Sequence, residues 1–361
     1  MKILFVTSSL TGGGAERVLS VLANEFFEMS EIDGVSVVSI IEDNVTYKLN
    51  SGVHYIPYHA KSNNRFLRIV DRYLFLRKAI INEKPDIIIS FATQVNIYSI
   101  LANLGLKSKV VISERNDPQR DPIQATVRKL RNQVYKLSDG AVFQTMDAME
   151  YFANIKKLNK TVILNPLKGG LPLPFKGERE NRIVTVARLH PAKNLPLLID
   201  AFEEISKKLP QFVLEIFGEG NEKDYLTDLV TDKKIEDRVF FKGFSNKVHD
   251  EIRTATCFVL PSNYEGMSNA MLESLALGIP TICTDCPIGG ARMVIDHMEN
   301  GILTPVGNKE QLIRNIELLI EDSQLREKFE KNSIKIKEEL SAKKIAKQWL
   351  IFINSIMADN V

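Results

Sequence analysis

"NPLKGGLPLPFKGEREN" occupies residues 165–181 and is followed at once by "RIVTVA", residues 182–187. The first stretch is rich in proline, glycine and charge, which interrupts regular structure. The second is a short β-branched run of the kind that makes a buried strand. A pattern that stops and restarts in this way reads as a linker between two domains. Upstream, apolar runs at 2–7, 35–40, 86–91, 109–113, 140–144 and 161–164 read as strands. Helical stretches at 15–29, 66–82, 94–104 and 121–137 lie between most of them. Downstream, strands are expected at 182–187, 212–217, 239–243, 257–261 and 280–284. Helices are expected at 195–208, 222–233, 248–254 and 268–277, and almost only helix after about 308. Near-continuous apolar strands separated by helices imply parallel sheets covered on both faces. The expected fold class is α/β: two Rossmann-like doubly wound domains facing across a cleft, with ligands held outside the carboxyl ends of the strands.

Composition sets the outer limits. The 361 residues suffice for two cores, and 44% hydrophobic with 25% charged residues is ordinary for a soluble globular chain. The net charge of +2 is unevenly spread. Residues 1–165 carry 21 Lys+Arg against 16 Asp+Glu, the remainder 26 against 29. A basic first half favours an anionic partner or surface; nothing in the pattern points to nucleic acid. Three cysteines, Cys257, Cys283 and Cys286, do not make a disulfide framework and fit a reducing cytosol. Cys283 and Cys286 form a CxxC, but no second pair completes a metal site. The opening "MKILFVTSSLTGGGAER" reads as a first strand rather than a signal peptide. No apolar run approaches the ~18 residues that cross a bilayer. The expected location is cytoplasmic, with attachment at most to a membrane surface.

The informative residues follow strands. "TGGGAERV" (11–18) opens a helix, and Gly13 and Gly14 allow close backbone approach at an N-terminus that favours a phosphate. A tight strand–helix turn needs the same residues. The stretch is not GxGxxG, which argues against an NAD(P) oxidoreductase. In "VARLHPAKN" (186–194), Arg188 and Lys193 sit by a strand end and suit a diphosphate, as a fork and a point charge. In "CFVLPSNYEG" (257–266), Glu265 and Gly266 lie in the loop after a strand. Ser268 or Asn269 caps the next helix, which Gly278 and Pro280 end. The N–H groups of Met267, Ser268 and Asn269 favour phosphate oxygens, whereas the carboxylates of Glu265 and Glu273 repel them. Two acids flanking an anion pocket should accept hydrogen bonds from neutral hydroxyls, which points to a sugar–phosphate–ribose ligand.

Glu265-x7-Glu273 resembles the EX7E motif of the retaining glycosyltransferase family 4, which has the GT-B fold. Tyr264-Glu265-Gly266 with Asn269 to Pro280, "GGGAER" and "VARLHPAKN" resemble that family in the same order, so the likeness runs from Met1 to about Ser341. It implies domains at 1–165 for the acceptor and 166–340 for a nucleotide-sugar donor, with 341–361 packing back as a helix on the first. It implies that Arg188 and Lys193 stabilise the leaving diphosphate, that Glu273 holds the ribose, and that Glu265 holds donor-sugar hydroxyls. Gly13 and Gly14 are implied to close over the phosphates, and Asn165 to lie near the donor. UDP is the expected nucleotide. No DxD appears, so no divalent metal and no other cofactor is expected. One departure stands out. Where many relatives have a histidine, this chain reads "ISERNDPQR" (112–120): Glu114 takes that role, with Arg115 beside it, or the site is organised differently.

"SERNDP" and "TDCPIGGAR" resemble a subgroup that builds bacterial capsule, exopolysaccharide and lipid-linked glycans. The implied activity is transfer of a hexose or N-acetylhexosamine to a glycan acceptor carried on polyprenyl diphosphate, in surface polysaccharide or glycoprotein glycan assembly. "NNRFLRIVDRYLFLRKAI" (63–80) interleaves Arg65, Arg68 and Arg72 with Phe66, Leu67, Tyr73 and Phe75. It suits an anionic membrane surface, as does "RKLRNQVYK" (128–136). An ordinary helix with a solvated charged face has the same composition. Two other readings share the architecture: a nucleotide-sugar epimerase, and a two-lobed sugar-binding protein without turnover.

Overall fold

The computed structural model describes residues 1–41, 45–60 and 63–358. The chain divides into two compact units, Met1–Pro166 with Leu340–Val361, and Leu167–Glu339. The first contains seven strands: β1 (Lys2–Thr7), β2 (Gly34–Ser39), β3 (His54–Pro57), β4 (Ile87–Phe91), β5 (Lys109–Ser113), β6 (Gly140–Phe143) and β7 (Asn159–Val162). They lie in the order β3-β2-β1-β4-β5-β6-β7, every neighbouring pair parallel. The second contains β8 (Glu180–Val186), β9 (Val213–Phe217), β10 (Val239–Gly243), β11 (Ala255–Leu260), β12 (Thr281–Thr284) and β13 (Ile302–Thr304). Their order is β10-β9-β8-β11-β12-β13, again parallel throughout. Each sheet starts in its middle, builds outward one way, then crosses back to build the other way.

The apolar runs explain this arrangement. β4 and β11 are buried at every residue, so both faces are covered. In the second unit Ile183, Leu214, Val259 and Ile282 of the strands pack with Leu198 and Phe202 of the helix Leu195–Lys208. In the first unit the helix Ala342–Ala358 returns to the sheet. Its Trp349 is fully buried and stacks on Phe91, with ring centroids 5.8 Å apart.

Several elements differ from expectation, among them a helix Met146–Tyr151 between β6 and β7 that no apolar pattern announced. β3 and β13 were not foreseen. "HYIP" is a partly exposed strand that opens on an exposed histidine, and "ILT" is only three residues long, so neither shows a buried-strand run. The helix expected at 121–137 begins at Ala125. Pro122 supplies no N–H and disfavours helical backbone at Asp121 before it.

Candidate active site

In the second unit β8 lies between β9 and β11, at the point where the strand order reverses. The loops leaving β8 and β11 start there, at the carboxyl ends where sheets of this kind hold their ligands. Those loops carry Arg188, Lys193 and Glu265. They are tied together: Asn263 donates its N–H to the carbonyl of Ala192 at 2.8 Å and its side-chain amide to Pro191 at 3.3 Å. The Glu265 backbone is held in turn by the segment after β12. Its N–H donates to Pro287 at 2.9 Å, and its carbonyl accepts from Ile288 at 3.3 Å. A Cβ on Gly290 would collide with the carbonyl of Gly266, and one on Gly218 with the carbonyl of Ala187. Gly218 also has φ +126°, a conformation that side chains disfavour. These two glycines let neighbouring segments close on the Glu265 and Arg188 loops. Gly218 was absent from the expected site; the "GEG" after strand β9 was its available signal.

The side chains then meet. Lys193 Nζ forms an ion pair with Glu265 Oε2, both largely buried. Ser262 also faces that oxygen at 3.4 Å. Arg188 is exposed and makes no ion pair among the described residues. Ser268 caps the helix Asn269–Ala276, its hydroxyl accepting from the N–H of Met271. Glu273 lies in the second turn, 5% exposed, with Oε2 3.0 Å from His249 Nε2. A small cavity beside Glu265 is lined by Gly266, Ser268, Cys283, Thr284 and Cys286. Burial pushes the Cys286 thiol up to about 11 and also raises Cys283 well above the ordinary thiol range. The CxxC is therefore two inert thiols in a wall, not a reactive pair. Among the described residues no three His, Cys, Asp or Glu side chains cluster as metal ligands.

The remaining expected residues lie in the first unit. Gly13 is the N-cap of the helix Gly14–Phe27, and Glu16 folds its carboxylate back over it while accepting from Ser8 at 2.9 Å. The helix terminus thus meets an acid of its own first turn. Glu114 is 1% exposed. It accepts from the Thr93 hydroxyl at 2.9 and 3.1 Å and from Tyr135 at 2.8 Å. Its pKa is raised, above all by burial. Both carboxylate oxygens are engaged inside the unit, just past the end of β5. Arg115 is also buried, donates to Asn165 Oδ1 at 2.8 Å, and stacks over Phe91 at 4.1 Å. Burial lowers its pKa to about 9. Asn165 is 2% exposed. The three make a buried polar cluster at the carboxyl ends of β4 and β5.

Residues 174–336 match the family model described as glycosyl transferases group 1. The chain is 28% identical to a Campylobacter jejuni enzyme, GalNAc-alpha-(1->4)-GalNAc-alpha-(1->3)-diNAcBac-PP-undecaprenol alpha-1,4-N-acetyl-D-galactosaminyltransferase, over 99% of each chain. It is 26% identical to a second enzyme of that organism, N-acetylgalactosamine-N,N'-diacetylbacillosaminyl-diphospho-undecaprenol 4-alpha-N-acetylgalactosaminyltransferase, over 96% of this chain and 97% of that one. The crystal structure of Anabaena HepE in complex with UDP and glucose superposes with a TM-score of 0.85 at 19% identity, covering 98% of this chain and 100% of that chain. The fold is that of the GT-B glycosyltransferases, and the sequence matches support glycosyltransferase activity.

Proposed function

We propose that the protein is a retaining, metal-independent glycosyltransferase of family 4. It moves a hexose or N-acetylhexosamine from a UDP-sugar to a glycan carried on polyprenyl diphosphate. The observation that carries this reading is the pairing of Lys193 with Glu265 at the reversal point of the second sheet, with Arg188 exposed in the same loop as Lys193 and Glu273 on the adjoining helix. Cations for a diphosphate and carboxylates for two sets of hydroxyls share one edge. The bond from the sugar C1 to the β-phosphate oxygen breaks, and negative charge grows on the diphosphate. Arg188 and Lys193 stabilise that charge, with the helix terminus at Gly266 to Asn269. The acceptor oxygen bonds to C1 on the same face and its proton passes to the departing phosphate oxygen. Glu265 orients the sugar hydroxyls and Glu273 the ribose. The first unit takes the acceptor, and Glu114, Arg115 and Asn165 shape its strand ends from beneath.

A panel of UDP, GDP, ADP and NAD, with and without EDTA, tests the donor in thermal unfolding. A ligand at about 100 times its Kd adds roughly 2.7 kcal/mol to native stability. Stabilisation by UDP that survives EDTA is the expected result. Stabilisation by NAD alone, or by no nucleotide, would overturn the reading.

The lipid-linked acceptor draws support from the helix Arg65–Glu83. Asn64 caps it, accepting from Phe66 and Leu67 N–H groups. Only Leu76, Ala79 and Ile80 are buried; Phe66 is 81% exposed, and Leu67, Val70 and Leu74 are also exposed. Phe66, Val70 and Leu74 recur every fourth residue and so share one face. Apolar side chains beside Arg65 and Arg68 suit the headgroup region of an anionic bilayer. No described helix is long and apolar enough to cross a membrane. The second basic run contributes less than its composition implied. Arg131 is buried, donating to the carbonyls of Asp121 and Pro118, and Arg128 donates to those of Pro122 and Ile123. Lys129 and Lys136 remain exposed. Replacing Phe66 and Val70 together by serine is expected to lower partitioning onto phosphatidylglycerol vesicles roughly tenfold, with UDP binding unchanged. Co-sedimentation measures it, and equal partitioning would exclude this face.

A further inference from the structure

His249 belongs to none of the motifs read from the sequence. It sits on the short helix Val248–Ile252, where the chain crosses from β10 to β11. That crossing brings its ring to the helix that carries Glu273, 24 residues further on, with Nε2 3.0 Å from Oε2. The two side chains are only 13% and 7% exposed, so water is a poor substitute for either partner. An ionised carboxylate only accepts, so Nε2 carries the hydrogen and donates it.

The terminal torsion of a glutamate is broad and roughly two-fold when nothing holds it. Here the helix fixes the Cα of Glu273 and the imidazole fixes one carboxylate oxygen. The plane of the carboxylate is then set before any ligand arrives. We infer that His249 is a positioning residue: it locks the Glu273 carboxylate so that the nucleotide ribose is read hydroxyl by hydroxyl, and deoxyribonucleotides are rejected. The inference rests on the assignment of Glu273 to the ribose. It deepens that assignment, because a freely turning carboxylate accepts from whichever hydroxyl remains, whereas a locked one penalises the loss of a particular hydroxyl. A site built to pair a hydroxyl discriminates strongly against its absence.

The test is calorimetric titration of the full chain with UDP, 2′-deoxy-UDP and 3′-deoxy-UDP. The native protein is expected to bind at least one deoxy analogue about tenfold more weakly than UDP, the value of one hydrogen bond to a charged acceptor. In His249→Phe, which fills the space without a donor, UDP weakens towards the affinity of that analogue and the ratio falls to about two or less. In His249→Gln, whose amide restores an N–H, most of the ratio returns. A ratio unchanged in His249→Phe, or equal weakening of all three nucleotides, would overturn the inference, since a structural role alone moves all three together. Native protein that binds UDP without discrimination would also overturn it. Native protein that binds none of the three would overturn the donor-site reading, and this inference with it.

Discussion

Lys193→Ala is expected to lower kcat/KM for transfer by a hundredfold to a thousandfold, roughly 3 to 4 kcal/mol of transition-state stabilisation. In the proposed mechanism the charge that builds on the leaving diphosphate is met by Lys193, whose loop is tied down by the hydrogen bonds from Asn263 to Ala192 and Pro191. Once the donor has drawn Lys193 to its diphosphate, the charge needs no further reorganisation at the moment of reaction, which is why one such group is worth so much. The variant also leaves Glu265, a largely buried carboxylate, without its cation, and only the long contact from Ser262 remains among its side-chain partners described above. Some loss of thermal stability is therefore expected with the loss of rate, and the two separate on measurement. Lys193→Arg restores charge without the shape of the ammonium, so it should recover stability more fully than rate. Initial rates with a saturating acceptor, alongside the melting temperature, decide the matter. A rate within about threefold of native in Lys193→Ala would remove this residue from the chemistry.

What the sequence made legible follows from range. Strand runs such as "DIIISF" and "CFVLP" announce themselves because a strand buried on both faces needs continuous apolar residues. Ser268 and Glu273 could be placed because a cap and a second turn are local geometry. The partnerships could not be. Lys193 and Glu265 are 72 residues apart, and His249 and Glu273 are 24 apart across a sheet crossing. Such encounters are decided by strand order, which no local pattern encodes. Arg128 and Arg131 read as surface charge, yet they turn inward to carbonyls of the 118–123 segment. The partners of Glu114 were out of reach for a related reason: Thr93 and Tyr135, which engage it, lie 21 residues away on either side. The helix Arg65–Glu83 shows the converse. Its apolar content suits a core helix equally well, and only the packing shows that Phe66, Val70 and Leu74 face outward.

Glu265→Gln is expected to change affinity and rate in opposite directions. Lys193 and Glu265 form an ion pair. On the proposed reading a bound diphosphate draws Lys193 to itself, so Glu265 must give up its cation. With a sugar nucleotide the hydroxyls of the sugar replace that cation as hydrogen-bond donors. With free UDP nothing replaces it, and the carboxylate stands alone beside a diphosphate of the same sign. The native site is therefore expected to favour the donor over the spent nucleotide, and breaking one partner of a largely buried pair is the step that separates them. Glutamine removes the ion pair and the repulsion but keeps an amide oxygen that accepts. UDP should then bind several-fold more tightly, about 1 kcal/mol. Transfer should fall by at least roughly a hundredfold, since a neutral amide holds the sugar hydroxyls less strongly as the C1–O bond breaks. Calorimetry with UDP and initial rates with the UDP-sugar measure the two arms on one preparation. UDP affinity that is unchanged or weaker in the variant would show that the pair does not have to open for the diphosphate. Near-native transfer would show that Glu265 does not hold the sugar. The two outcomes are independent, because the first concerns only Lys193 being released and the second only what Glu265 accepts once it is free.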